Sequence, residues 1–492
     1  MIKSLLRVAF LLLALNFYGQ EISWNYNENY QNSGNKVFST SLSDIISIIN
    51  QNKSSFNLPI PITPKTTKIF NFKKTNVFEP DLANSNNIEI YRGISDDDKI
   101  KVYINLIDNN LLYITIINET LKITLNNTLD SNIFIQSVKI EPESNKFLKF
   151  DDENCGIDSQ EEQKKTSIAN NLDPVGETPN LIKYRLAVIP SSEWSNYFIN
   201  EYNAQDLDNS KKRSIVLGEI GVTLAEINSI YERDLGVTFE LIENNEFLIE
   251  FDTTKDGITH YNKGKQLSES INILNNVIGF NNYDIGHVFD AANYGGVAYL
   301  NALCGGLKAG GVSGSGTPND NFFMHVVAHE IGHQFGAYHT FNSNVGSGTN
   351  RVEPGAGTTI MGYREAGEYN QYFHAKSIKE MTNHMRNTSC GVLAENFLNP
   401  SPNYKIPPDR LNYTIPTGTP FMLGNGIQIQ DSNNEETQLL YSWEQMDGEK
   451  TLSPPVNTSV IGPMFRSLFP NNQIVRSFPN IETVANGEIQ TT

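Results

Sequence analysis

The stretch FFMHVVAHEIGHQFGAYHTF, residues 322–341, carries the most specific pattern in this 492-residue chain. Within it, the frame HExxHxxGxxH occupies residues 329–339. Residues four apart lie on one face of a helix, so His329 and His333 can direct their imidazole rings to a single point. The spacing therefore predicts a helix that supplies two nitrogen ligands to one metal ion.

A third ligand requires the chain to reverse direction after this helix. Gly336 lies where a left-handed turn would end the helix, and that turn would return His339 to the same point. His325 is in line with the two helical ligands, but the eight residues from it to His333 rise about 12 Å, too far for one zinc ion with Zn–N bonds of about 2.0–2.1 Å. Three nitrogen ligands leave a fourth position for water, as in catalytic zinc sites.

Glu330 directly follows the first predicted ligand and has no place among the nitrogen ligands. A carboxylate at this position can take the proton of a zinc-bound water, whose pKa the metal lowers to about 7. We therefore predict that Glu330 is the general base. A helix that carries these histidines by coincidence is the alternative.

A second element gives the chain a family resemblance. The turn Thr358–Tyr363 (TTIMGY), here called the Met-turn, follows His339 after 18 intervening residues. The chain thus resembles the metzincin metallopeptidases, which have a methionine-containing turn beneath the zinc. The resemblance implies Zn²⁺ as cofactor and Met361 as the polarizable floor of the metal pocket. Tyr363 matches the tyrosine of astacin-like metzincins, which implies a hydrogen bond to the developing oxyanion; plain packing is the alternative for this side chain.

The segment Gly295–Cys304 (GGVAYLNALC) resembles the edge strand of reprolysin (adamalysin)-like peptidases, and the secreted bacterial type with a prosegment is the nearest match. An edge strand can bind an extended peptide as an additional strand. We therefore predict that substrate binds along this strand, at Val297, Ala298, Tyr299 and Leu300. The resemblance also implies a disulfide between Cys304 and Cys390, with two free thiols as the alternative. Thr340 departs from reprolysins, which have Asp after the third histidine.

Helices and strands alternate ahead of the zinc-binding frame, which predicts an α/β catalytic domain with a mixed twisted sheet and an active-site helix, residues 181–392. His287 lies in one of the strands and is predicted to be structural. The predicted strands are Tyr184–Ile189, Val237–Ile242, Phe247–Phe251 and Asp284–Asp290, and the predicted helices are Ser191–Tyr202, Ser214–Asp234, Gln266–Ile278 and Tyr372–Met385.

The N-terminal residues 1–19 have the pattern of a signal peptide. Lys3 and Arg7 precede an apolar run, Val8–Leu15, and a cleavage site is predicted near Gly19. No later run approaches the roughly 20 apolar residues of a transmembrane helix. A net charge of −18 argues against nucleic acid and anionic membrane partners. These features predict a secreted, extracellular protein.

Residues 20–180 are predicted to form a mostly β prosegment that ends in an acidic linker. The strands are predicted from Ile88–Tyr91, Lys101–Leu106 and Leu111–Ile116. Cys155 lies in the linker, and a thiolate is a good zinc ligand. The Cys-Gly pair resembles the cysteine switch of reprolysin prosegments, although the preceding Asp-Glu-Asn is not usual. The resemblance implies that the prosegment inhibits the enzyme intramolecularly; an incidental cysteine is the alternative.

Residues 393–492 are predicted to form a proline-rich linker and an immunoglobulin-like β-sandwich. Short strands are predicted at Leu411–Ile415, Phe421–Leu423, Gly426–Ile429 and Leu439–Trp443, with Trp443 as a core candidate. The segment has no clear final strand, so a truncated domain is an alternative.

These observations together predict a secreted zinc-dependent endopeptidase that is made as a zymogen and cleaves protein or peptide substrates. One alternative is a non-catalytic adhesin or binding protein that uses the zinc domain as a scaffold, and an intact Glu330 counts against it. Another is a zinc amidase that acts on small molecules, and the edge strand counts against that. The sequence gives no support for a Ca²⁺ site.

Overall fold

The computed structural model describes part of the chain, and both Cys155 and the predicted signal peptide lie outside the described residues. The chain divides into two compact units, an N-terminal unit of residues 1–76 with 83–140 and a C-terminal unit of residues 77–82 with 141–492. The described residues are 22–28, 35–95, 100–118, 121–127, 132–140, 180–342, 351–363, 370–398, 403–405, 412–425, 428–430, 440–448, 462–481 and 485–486.

The N-terminal unit contains an antiparallel nine-stranded sheet in the order β1-β2-β9-β8-β7-β6-β5-β4-β3. Helix α1 buries Leu42, Ile45 and Ile49, which recur at helical spacing, in the core cluster of this unit. The mostly β prediction for this region agrees with the structure. The strands are β1 Asn25–Tyr26, β2 Lys36–Ser39, β3 Ser55–Thr63, β4 Thr66–Lys74, β5 Ile88–Ile94, β6 Lys101–Ile107, β7 Leu111–Ile117, β8 Leu121–Asn127 and β9 Ile133–Ile140, and the helix is α1 Leu42–Gln51. A further helix, α2 Pro80–Asn86, includes residues assigned to both units.

The C-terminal unit is built on a mixed six-stranded sheet in the order β11-β10-β12-β14-β13, with β17 also paired to β10. Strands β11, β10, β12 and β14 are parallel neighbours, whereas β13 and β17 pair antiparallel. The sheet strands are β10 Asn180–Pro190, β11 Val237–Leu241, β12 Ile285–Asp290, β13 Gly295–Ala298, β14 Gly311–Gly314 and β17 Val392–Leu398. The helices are α3 Ser192–Glu201, α4 Asn209–Leu235, α5 Lys263–Val277, α6 Asn321–Gln334 and α7 Ala375–Met385.

The alternation of helices and strands confirms the predicted mixed α/β domain, and β13 is at the edge of its sheet. The edge strand ends at Ala298, earlier than the predicted segment, so Leu300 lies in the turn that follows. Tyr299 still donates its backbone N–H to the carbonyl of Gly310 at 3.0 Å and extends the pairing by one residue.

The predicted strand Phe247–Phe251 is wrong. A 3₁₀ helix occupies Asn245–Leu248 instead. The Asn245 side chain accepts from the backbone N–H of Val188 at 2.8 Å and donates to its carbonyl at 3.0 Å. The side-chain amide of Asn245 thus pairs with the backbone of β10 where a neighbouring strand would otherwise do so. The backbone of residues 245–248 is therefore free to form the 3₁₀ helix.

The described residues after β17 contain only short strand pairs. The pairs join β18 Asn403–Lys405 to β20 Gln428–Gln430 and β19 Phe421–Leu423 to β21 Arg476–Phe478. Residues 412–415 form no strand, and Trp443 is half-buried rather than a core residue. An immunoglobulin-like sandwich is therefore not present in the part of this region that the structure describes.

A disulfide joins Cys304, after the edge strand, to Cys390, after α7, with a Cα–Cα distance of 5.7 Å. The pairing that the family resemblance implied is therefore present. Among the described residues, no helix is both long enough and apolar enough to cross a membrane.

Candidate metal centre

Three imidazole rings converge at the C-terminal half of α6. The Nε2 atom of His339 lies 3.2 Å from that of His329 and 3.1 Å from that of His333. A tetrahedral ion with Zn–N bonds of about 2.0–2.1 Å holds its nitrogen ligands about 3.3 Å apart. His339 therefore has the separation from both helical histidines that a single zinc ion requires, and the ligand atoms of all three lie within 4.8 Å of one another.

The ends of α6 explain how the sequence produces this convergence. Asp320 caps the helix, and its Oδ1 accepts the backbone N–H of Phe323 at 2.7 Å. At the other end Gly336 has a φ of 102°, in the left-handed region, and donates its N–H to the carbonyl of His333 at 2.8 Å. The chain reverses there as a helix-ending glycine allows, which returns His339 to the helical histidines.

Backbone carbonyls fix the orientation of the two helical imidazoles. The Nδ1 of His329 donates to the carbonyl of Ile360 at 2.7 Å, and the Nδ1 of His333 donates to the carbonyl of Ala337 at 2.7 Å. In a neutral imidazole the proton is then on Nδ1, so each Nε2 presents a lone pair. This is the arrangement by which proteins orient zinc-binding histidines.

The three imidazole side chains are almost entirely buried. His329 and His333 are 0 % exposed and His339 is 7 % exposed. Burial lowers the pKa of His329 to about 4 and lowers the pKa values of His333 and His339 well below their ordinary range, with a further lowering from the neighbouring imidazoles. The three rings are thus neutral at pH 7, the state in which they bind a metal. A Zn²⁺ ion fits this donor set.

The Met-turn lies directly against the metal-binding helix. Met361 is fully buried, and its sulfur faces Gly332, which lies between the two helical ligands. The carbonyl of Met361 accepts the backbone N–H of Thr340 at 3.1 Å. Together with the bond from Ile360 to His329, these contacts place the turn against both the helix and the segment that carries the third histidine.

Tyr363 is close to the convergent imidazoles. Its ring centroid is 4.8 Å from that of His339 and 6.4 Å from that of His329. The ring is half-buried and stacks on Phe341 at 4.1 Å. Tyr363 therefore lies beside the site, packed on one face.

Glu330 connects the site to the edge strand. The carboxylate is 0 % exposed. A Cβ atom added to Gly296, in β13, would stand 2.5 Å from its Oε1. Gly296 is therefore required to be glycine by the close approach of this carboxylate.

Two other histidines, which the sequence analysis did not predict to be metal ligands, lie outside the metal site. His325 is buried on α6 with its ring centroid 6.5 Å from that of His329. His287 is in β12, where Nδ1 bonds Gln334 at 2.9 Å and Nε2 bonds Ser313 at 2.8 Å. Both belong to the packing of the sheet and helix.

A second group of potential ligands, Glu193, His260 and Asp290, lies away from the three histidines in sequence. The Asp290 carboxylate is fully buried and already accepts four hydrogen bonds. Its partners, at 2.7–2.9 Å, are Ser191, His260, Gln266 and Tyr294. Because these bonds satisfy the central carboxylate, the group holds the loop before the edge strand without a metal ion.

Sequence reasoning missed one buried acid next to the site, Glu353. It lies in β16 (Glu353–Pro354), which pairs with β15 (Phe341–Asn342) after the third histidine. A lone glutamate in a loop has no sequence signal that distinguishes it from a surface residue.

Comparison with known proteins agrees with this geometry. Residues 209–396 match the model of metallo-peptidase family M12B, reprolysin-like. This part of the chain is a reprolysin-like metzincin. The metallopeptidase family implies a zinc cofactor and a hydrolytic activity on proteins, and the three histidines supply the metal site.

Among solved structures, metalloproteinase-II from Bacteroides fragilis aligns with a TM-score of 0.38 and 11 % sequence identity, over 70 % of this chain and 95 % of that chain. At this level the likeness does not establish a shared fold. A search of curated proteins gives no match for this chain.

Proposed function

We propose that this metzincin is a secreted zinc-dependent endopeptidase, made as a zymogen, in which Glu330 activates the attacking water. The observation that carries the proposal is the joint position of two groups. The Nε2 atom of His339 lies within 3.2 Å of those of His329 and His333, and the carboxylate that follows His329 lies against the edge strand. A metal site and a base next to a peptide-binding edge are the parts that amide hydrolysis needs.

A zinc ion held by His329, His333 and His339 would polarise the substrate carbonyl and acidify a water molecule. Glu330 accepts the proton of the attacking water on its carboxylate and then passes it to the leaving amine. The enclosed surroundings of Glu330 keep bulk water from competing for that proton. Tyr363 donates a hydrogen bond to the oxyanion through its hydroxyl.

Substrate binds as an added strand along β13. Val297 and Ala298 are the positions where its backbone groups are best placed to pair. Lys263 supports this register, because its Nζ already donates to the carbonyls of Tyr294 at 3.3 Å and Gly296 at 3.0 Å. The ammonium occupies the start of the strand, so pairing with a peptide begins after Gly296 and continues towards Tyr299 and Leu300.

Residues 20–180 act as the prosegment in this proposal, residues 181–392 as the catalytic domain and residues 393–492 as a further domain. The chain has three cysteines, and two of them form the Cys304–Cys390 disulfide. Cys155 is therefore the candidate inhibitory ligand. The signal-peptide pattern of residues 1–19 and the disulfide both favour export. If the switch operates, the Cys155→Ser precursor cleaves protein substrate without prior processing, whereas the wild-type precursor does not.

The decisive experiment measures casein cleavage by the processed wild-type chain, with and without a zinc chelator, alongside Glu330→Gln. We expect activity that the chelator abolishes and zinc restores, and a fall of about 10²–10⁴ in kcat for Glu330→Gln with zinc still bound. Zinc-loaded protein that cleaves no protein substrate, or whose Glu330→Gln variant is as active as wild type, contradicts the proposal. Turnover of small amides but not casein would indicate an amidase instead.

A further inference from the structure

Glu353 is a fully buried carboxylate that accepts hydrogen bonds on both oxygens. Its Oε2 accepts the hydroxyls of Thr340 and Thr359, each at 2.5 Å. Its Oε1 accepts the backbone N–H groups of Thr358 at 2.9 Å and Thr359 at 3.2 Å, and the Thr358 hydroxyl at 3.3 Å. A buried charge is costly unless it is bonded in this way, so the carboxylate requires all of these donors in place.

The donors come from two segments that support different metal ligands. Thr340 directly follows His339, and the backbone N–H of Glu353 donates to the Thr340 carbonyl at 2.9 Å. Thr358 and Thr359 begin the Met-turn, whose next residue, Ile360, holds the Nδ1 of His329. One carboxylate thus joins the chain segment of the third ligand to the turn that orients the first.

A direct backbone hydrogen bond also joins the segment of the third histidine to the Met-turn. Between Thr340 and the Met-turn the structure gives one direct backbone bond, Thr340 N–H to the Met361 carbonyl at 3.1 Å, among the described residues. Glu353 adds a second connection, because its carboxylate bonds Thr340 on one side and Thr358 and Thr359 on the other. Displacing it would leave several buried donors unsatisfied on both sides of the site.

We propose that Glu353 is a positioning residue of the metal centre, which holds His339 and the Met-turn in register so that His329 and His339 face one ion. The inference deepens the proposed function, since it takes the three histidines as zinc ligands. It assigns no contact between Glu353 and substrate. Its effect is on ligand geometry, and therefore on zinc affinity first and on catalysis second.

The test measures zinc affinity by competition with a chromophoric chelator, in the full chain and well below the unfolding temperature of each variant. Glu353→Ala is expected to weaken zinc binding about 10–100-fold, as loss of groups that orient metal ligands does. Kinetics on casein should show the loss in kcat, with KM within about twofold of wild type. Glu243→Gln removes an exposed carboxylate and is the matched control, with unchanged affinity expected.

Thr340→Val and Thr359→Val provide a milder second route if Glu353→Ala does not fold. Each removes one hydroxyl donor and keeps the carboxylate, so each should weaken zinc binding by a smaller factor than Glu353→Ala. Folded variants that bind zinc within twofold of wild type overturn the proposal, even if their unfolding temperatures fall. Zinc affinity does not depend on turnover, so wild-type protein that binds zinc without cleaving protein would refute the peptidase proposal alone.

Discussion

The carboxylate of Glu330 and the backbone of Gly296 are in contact: a Cβ atom on Gly296 would lie 2.4 Å from Glu330 Cγ and 2.5 Å from Oε1. No real Cβ approaches other atoms this closely. Glu330 on α6 therefore packs directly against the edge strand β13. A side chain at position 296 cannot be accommodated unless the Glu330 side chain moves.

Gly296→Ala is therefore expected to displace Glu330 and lower kcat by about 10²-fold or more, because general-base catalysis depends on position as well as on the carboxylate itself. Zinc content should stay at the wild-type level, since the atoms nearest to the added Cβ belong to Glu330, which is not among the proposed metal ligands. Metal analysis and casein kinetics check both expectations.

Gly306→Ala is the matched control, because a Cβ atom there meets nothing within 4 Å. It should leave kcat within twofold of wild type. A fully active Gly296→Ala enzyme would show that Glu330 can move without loss, which the close contact argues against.

The zinc-binding frame was predictable from sequence because its geometry is local. Positions i and i+4 of a helix share a face whatever surrounds them, and a glycine at a helix end reverses the chain in most contexts. These two rules predict that His329, His333 and His339 can reach one point. The family resemblance added the Met-turn and the Cys304–Cys390 pair, which spacing alone could not have supplied.

What the sequence could not supply are contacts between distant residues. Glu353 bonds Thr340, 13 residues away, and no periodic pattern marks either residue as buried. The same limit explains the wrong strand at Phe247–Phe251, where the Asn245 side chain bonds a backbone 57 residues distant. Tertiary partners of this kind override local propensity.

Tyr363→Phe separates the two roles open to this residue. If the hydroxyl donates to the oxyanion, kcat falls about 10²–10³-fold while KM and zinc affinity stay near wild type. If the ring only packs on Phe341, the substitution keeps the stacking and kcat falls less than threefold. Steady-state kinetics on a single peptide substrate distinguish the two, and Tyr299→Phe is a comparison on the edge strand.

Stability should fall with acid through His287. Burial lowers its pKa to about 4, against an ordinary value of 6.5, and the bond to Gln334 offsets only part of this. Because the folded-state pKa is below that of the unfolded chain, the neutral ring stabilises the fold above pH 6.5. That contribution is lost as pH falls from 6.5 to 4, and a shift of this size corresponds to about 3 kcal/mol.

The measurement compares denaturant unfolding of wild type and His287→Asn, both with metal removed, at pH 7 and pH 4.5. The free energy of unfolding should fall more steeply for wild type than for the variant, since the other titrating groups are common to both. If the free energy of unfolding falls equally for both proteins between pH 7 and pH 4.5, His287 can be protonated within the fold at little cost.

The disulfide should contribute to stability through the length of chain it closes. Cys304 and Cys390 are 86 residues apart, and loss of a native disulfide typically costs about 2–5 kcal/mol. The Cys304→Ser, Cys390→Ser double variant should therefore unfold at lower denaturant concentration than oxidised wild type. Wild type under reducing conditions should match the double variant, and a variant as stable as the oxidised protein would contradict the expectation.

Glu444 joins the segment after residue 440 to the metzincin region. Its Oε2 accepts the backbone N–H of Ala375, the first residue of α7, at 2.5 Å, and its Oε1 accepts the hydroxyl of Ser467. Ser467 in turn bonds the Tyr372 hydroxyl at 2.8 Å and, through its carbonyl, the Thr358 hydroxyl at 3.2 Å. A carboxylate at a helix N-terminus also interacts favourably with the helix dipole.

Glu444→Ala is therefore expected to lower the free energy of unfolding by about 1–2 kcal/mol, the usual size of a lost helix cap. Glu444→Gln keeps an acceptor but loses the charge, so it should cost less than Glu444→Ala. Asp447→Ala changes an exposed acid three residues away and should have little effect. If Glu444→Ala and Asp447→Ala unfold at the same denaturant concentration, the contacts of Glu444 do not stabilise α7.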